Sequence, residues 1–139
     1  MTDDLELHDS WVEFSTDDAL LTLSFCPGYI HHWEKGDSGW LGEGRSQRVD
    51  LIVVAGTITS APIAGRFQLS SGEISIDSEV FDNMIPVPTE RNGVVQGRLE
   101  SINGDVVTFA GRGLAVRSAG AWKFVEKLRA DWAPSDGAA

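Results

Sequence analysis

Apolar and polar residues alternate with a period of two along most of this chain, and that rhythm limits the possible folds more than any other feature. Val12 and Phe14 alternate with Trp11, Glu13 and Ser15, and Leu21, Leu23 and Phe25 alternate with Thr22 and Ser24. A period of two puts successive side chains on opposite faces of a strand, so each run reads as a strand with one buried face. Thr16-Asp17-Asp18 reads as the turn between them. The run from Val49 to Ile58 is rich in β-branched residues and apolar on both faces from Leu51 to Ala55, as expected of a central strand.

Turn chemistry divides the rest. Ser70-Ser71-Gly72 reads as a hairpin turn between Phe67–Leu69 and Ile74–Ile76. Asn103-Gly104 is the strongest turn signal, because both residues tolerate the positive φ of a type I′ turn. Gly111-Arg112-Gly113 allows a bend or bulge, and Ser118-Ala119-Gly120 reads as closing a last hairpin between Leu114–Arg117 and Trp122–Leu128. No segment has the pattern of a long helix. The expectation is an all-β fold, an antiparallel sandwich or small barrel of about seven to ten strands. With 139 residues, one domain over 1–132 is expected, and 133–139 reads as a disordered tail.

Two segments interrupt the alternation. Trp33 to Gln47 holds Gly36, Gly39, Gly42 and Gly44 between Trp33 and Trp40, and reads as a long loop with apolar anchors. Phe81 to Asn92 contains Asn83, Pro86 and Pro88, and the prolines exclude a central strand, leaving an edge crossing.

Charge narrows the partners. Residues 1–50 carry eleven acids against three bases, residues 51–90 five against one, and residues 91–139 five against seven, for a net charge of −10. Such a chain repels phosphate backbones and has no basic run, which disfavours nucleic acid. No apolar run approaches the roughly 18 to 20 residues needed to span a bilayer, and the N-terminus lacks the pattern of a signal peptide. The lone Cys26 forms no internal disulfide and asks for no oxidising compartment, so a cytoplasmic protein is expected. No phosphate-binding loop, dinucleotide fingerprint or Gly-x-Ser-x-Gly element is present, and nothing in the sequence names a cofactor.

The candidate site residues gather around Leu7-His8-Asp9-Ser10 and Tyr29-Ile30-His31-His32. Two histidines and a carboxylate could ligate zinc, iron or manganese, with His8 and His31 as the metal candidates and Asp9 or Glu126 as the third ligand. On an extended strand His31 and His32 point to opposite faces, so only one of them can share a site with His8. The simpler reading is that His8, Asp9 and Ser10 satisfy backbone groups at a strand entry. Cys26 beside the histidines reads as a small hydrophobe rather than a nucleophile.

The order of short motifs resembles a group of small uncharacterised bacterial β-proteins. Those motifs are Leu7-His8-Asp9-Ser10, Tyr29-Ile30-His31, Gly39-Trp40-Leu41, the Asn-x-x-Pro-x-Pro pattern of Asn83 to Pro88, and Phe124-Val125-Glu126. Phe124 stands where tyrosine is commoner in the group, and His32 is an additional histidine. A more distant likeness is to bacterial immunity-type proteins. The resemblance implies an all-β fold and implies which residues cluster, and it implies no reaction.

Two functions follow as expectations. The first is a non-enzymatic module that binds a protein partner through Trp33 and Trp40, which requires those tryptophans to be exposed. The second is a small-ligand or metal site enclosed by His8, Asp9, His31, Asn83 and Glu126, with Ser10 a further ligand candidate, which requires those five side chains to share a pocket. A structural β-domain that oligomerises through an edge strand is a third.

Overall fold

The computed structural model describes residues 1–134 and contains ten strands. These are β1 (Thr2–Glu6), β2 (Trp11–Asp17), β3 (Leu20–Gly36), β4 (Gly39–Val54), β5 (Thr57–Ile58), β6 (Phe67–Ile76), β7 (Glu79–Asp82), β8 (Met84–Pro86), β9 (Thr89–Ser101) and β10 (Val106–Lys127). Among the described residues the only helical element is one 3₁₀ turn, Ala130–Trp132. All ten strands belong to one antiparallel sheet, eight of them in the order β2-β6-β9-β10-β4-β3-β1-β8, with β5 paired to β10 and β7 to β6 beside that path, and β2 also pairs with β3. Hydrogen bonding therefore runs in a ring through six strands. The ring is not a regular barrel: β2 and β6 close it through only the pairs Trp11↔Gln68 and Val12↔Phe67.

The alternation read from the sequence produces the core. Leu21, Leu23 and Phe25 on β3 and Val49, Leu51 and Val53 on β4 are all fully buried, and the two sets lie opposite one another in register. Phe14 packs against Phe67 and Phe109 at ring-centroid distances of 5.9 and 6.3 Å, filling the interior where the ring is least hydrogen-bonded.

Several expected turns are continuous strand. The segment from Trp33 to Gln47 is a hairpin, in which β3 and β4 pair without interruption from Gly28↔Gln47 to Gly36↔Gly39. Its glycines serve close packing. A Cβ at Gly42 would lie 2.4 Å from the Trp33 ring, and one at Gly44 would lie 2.1 Å from the Tyr29 hydroxyl. Glycine inside a strand permits such an approach, so it signals a neighbouring ring here rather than a loop.

Ser70-Ser71-Gly72 lies within β6 beside a register shift, and the chain reverses later, at Asp77. Ser118-Ala119-Gly120 lies within β10, next to a bulge against β4. Asn103-Gly104 does join β9 to β10, but through the four-residue loop 102–105. Gly104 has φ +88° while Asn103 keeps a negative φ, so the turn is not type I′. Ser101 organises that loop: its carbonyl accepts the Gly104 N–H and its hydroxyl accepts the N–H groups of Asn103 and Asp105. The segment around Pro86 and Pro88 does lie at the sheet edge, on β8 beside β1. Of the expected tail, residues 135–139 lie outside the described residues.

Candidate functional site

The hairpin end of β3 and β4 extends beyond the ring, and β1 and the C-terminal half of β10 flank it. Register sets the geometry there. Leu5 and Glu6 on β1 face Ile30 and Tyr29 on β3, while Tyr29 and His31 face Ser46 and Gly44 on β4, and Gly44 faces Glu126 on β10. The one-residue shift of β3 against β4 between Phe25 and Gly28 decides which histidine takes part. It reverses the parity of the buried positions, from Leu21, Leu23 and Phe25 to Ile30 and His32. Tyr29 and His31 are left on the other face, beside Glu6.

That face holds a cleft of about 380 Å³, lined by Glu6, His8, Asp9, Tyr29, His31, Glu126 and Trp132. Other surface depressions have volumes of about 370 to 420 Å³, so size does not single this one out. Its chemistry does. Three carboxylates, two imidazoles and two aromatic rings converge, and no lysine or arginine lines it. His31 Nε2 meets Glu6 Oε2 at 3.0 Å with both side chains largely covered. The Tyr29 ring lies edge-on to His31 at 5.4 Å, and Trp132 stacks on the histidine at 6.4 Å with the planes 21° apart. Asp4, opposite His31 on β1, has its carboxyl held above the ordinary carboxylate range by burial, with His31 acting in the opposite sense.

Tyr29 ties the cleft together. Its ring passes over Gly44, and its hydroxyl donates to Glu126 Oε1 at 2.5 Å, linking β3 to β10 across β4. Burial raises the phenol pKa most, and the Glu126 carboxylate raises it further. Tyr29 is the chain's only tyrosine, so phenolate absorbance in an alkaline titration reads this one group. Ionisation is expected well above the ordinary value of about 10. In Glu126→Gln it should move down without reaching that value, because burial remains; an unchanged titration would contradict the bond. The native state holds this proton more tightly than the unfolded chain. Stability is therefore lost as pH rises above the ordinary tyrosine range, and is untouched at neutral pH.

The expected site residues divide into two groups. His8, Asp9, His31 and Glu126 share the cleft. His8 is half exposed, 3.3 Å from Asp9 through Nδ1, a contact worth little at that exposure. Asn83 stands behind it, its Oδ1 accepting the His8 backbone N–H at 2.8 Å. Ser10 is buried framework: its hydroxyl donates to the Glu6 carbonyl at 2.6 Å and accepts the Tyr29 N–H at 3.0 Å, pinning β1 to β3. Trp33 is only 2% exposed, and Trp40 borders a different depression with Leu41 and Phe124, under Lys35. The tryptophan loop expected as a partner surface is thus absent as a loop, and Trp33 is unavailable to a partner.

Among the described residues, no group of three or more His, Cys, Asp or Glu side chains is arranged to hold a metal ion. His8 turns to Asp9 and His31 to Glu6, so the two-histidine, one-carboxylate arrangement is not assembled.

Glu6 and Trp132 belong to the site without having been singled out from the sequence, and Tyr29 was named there only as part of the motif around His31. Glu6 precedes His8 by two residues, so strand alternation could have placed it on the same face. Trp132 carried no such signal, because the turn beyond β10 has no periodicity. No family model, curated protein or solved structure matches the chain. The family resemblance read from the motif order rests on those residues alone.

Proposed function

We propose that this all-β chain is a binding module whose recognition site is the cleft between β1, β3 and β10, and that it takes a cationic group, the guanidinium or ammonium of a basic segment on a protein partner. One observation carries the reading: Glu6, Asp9 and Glu126 converge with Tyr29 and Trp132 in a concave site that no lysine or arginine lines. A carboxylate that accepts one hydrogen bond keeps acceptor capacity on its second oxygen. Charge-assisted bonds to such oxygens are stronger than neutral ones. The net charge of −10 favours the approach of a basic partner.

The hydroxyl and thiol groups nearby are not set up as nucleophiles for the cleft. The Ser10 hydroxyl is committed to two backbone groups, and the Tyr29 phenol is bonded and held protonated. Cys26, read from the sequence as a small buried hydrophobe, is exposed, and it lies by a different depression, with Pro27 and Gln47.

The test is calorimetric titration with N-acetyl-arginine amide and with N-acetyl-citrulline amide, its uncharged isostere. The arginine derivative is expected to bind, the citrulline derivative at least tenfold more weakly, and Glu126→Gln to weaken the arginine derivative alone. Equal binding of the two, or none by either, would overturn the proposal.

A further inference from the structure

Trp132 reaches the cleft on a short turn that rests on the surface of β4. The 3₁₀ turn Ala130–Trp132 buries no residue and has no side-chain cap. Before it, Leu128 is an anchor: it is 8% exposed and its N–H donates to the Gly42 carbonyl at 3.0 Å. Beyond Leu128 the turn is braced from within. Arg129 grips Asp131 through two nitrogens at 3.0 and 2.7 Å, and its guanidinium lies 5.4 Å from the centre of the Trp132 ring. Among the contacts the structure gives for this unit, the one reaching back to the cleft is the stack of Trp132 on His31, in which the indole stays 52% exposed.

We infer that residues 129–132 form a strap hinged at Leu128, preassembled by the Arg129–Asp131 pair, which opens and closes over the cleft by making and breaking the Trp132–His31 stack. A rigid unit held by one anchored residue, one ring contact and the packing of its turn against β4, where Ala130 borders Leu41 and Gly42, moves as a body, because opening it breaks no backbone ladder and exposes no core side chain. Closed, it shields His31, whose side chain is 13% exposed although it lies on the open face of the sheet. The inference rests on the binding reading for the purpose of the strap, while its geometry can be tested with no ligand.

The test is the rate at which diethyl pyrocarbonate modifies each histidine in the intact chain, read by fragment mass spectrometry. It is paired with relaxation dispersion at the indole N–H of Trp132. His8, half exposed, should react fast in every variant, and His32, 6% exposed on the opposite face, slowly. Trp132→Ala is expected to accelerate His31 several-fold and leave His32 unchanged, and the wild-type Trp132 indole should show exchange that the buried Trp33 lacks. Acceleration at His31 with flat dispersion would make Trp132 a fixed wall and overturn the strap, as would an unchanged His31 rate. Equal acceleration at all three histidines would report general loosening and overturn it too. None of these outcomes depends on whether the cleft binds a cation.

Discussion

Truncating Phe109 to alanine is expected to cost about 3 to 5 kcal/mol of folding free energy, the range for a buried phenylalanine that leaves a cavity. The ring is 1% exposed on β10 and lies over Gly97, its register partner on β9, where a Cβ would come within 2.1 Å of it. Its edge contact with Phe14, which stacks on Phe67, links β10 to β2 and β6 across the interior. That is where the ring closes through two residue pairs, so side-chain packing supplies what backbone bonds do not. Domains are stable by only about 5 to 15 kcal/mol, so the loss should be roughly a fifth or more of the total. Urea unfolding followed by tryptophan fluorescence measures it, and Phe109→Leu should lose less. A change below about 1 kcal/mol would mean that the site collapses without a void.

Gly44→Val is expected to dismantle the cleft. Its Cβ alone would sit 2.1 Å from the Tyr29 hydroxyl and 2.6 Å from the ring carbon that bears it. Valine suits an extended strand, so β4 should keep its conformation while the tyrosine is displaced and Glu126 loses its donor. The overpacking should cost about 1 to 3 kcal/mol, and binding of N-acetyl-arginine amide should be lost. Tyr29→Phe keeps the ring and removes only the hydroxyl, so it separates the bond from the wall and should weaken binding less. If Gly44→Val retained both the tyrosine titration and the binding of the wild type, Tyr29 would not lie across β4.

The sequence is most legible where a side chain's face is fixed by alternation and least legible where a bulge or a glycine hides continuity. The strands around Val12 and Leu23 could be read directly, because each buries one face, whereas the run from Leu51 to Ala55, apolar on both faces in the sequence, buries one face only and ends as strand at Val54, 45% exposed. Ser70-Ser71-Gly72 and Ser118-Ala119-Gly120 have the composition of turns, yet the first borders a register shift and the second a bulge; small residues suit both. The glycines of β4 imitate a loop for a related reason, since only the rings of Trp33 and Tyr29 lying over them explain their place. For the site, opposite faces for His31 and His32 followed from strand geometry. Which one joins His8 did not, because it depends on the irregularity between Phe25 and Gly28. Glu126 was legible as a candidate carboxylate, while its bond to Tyr29 depends on the distant pairing of β10 with β4.

A second surface with exposed rings lies at the end of β10, where Trp122, Phe124 and Val125 are 46%, 55% and 49% exposed. The measurement that separates it from the cleft is an amide and indole NMR titration of the labelled chain with N-acetyl-arginine amide. The account predicts saturable shifts at Glu6, His31, Glu126 and the Trp132 indole, abolished by Glu6→Gln combined with Glu126→Gln. Shifts confined to Trp122 to Val125, or shifts at the cleft that survive the double substitution, would contradict it.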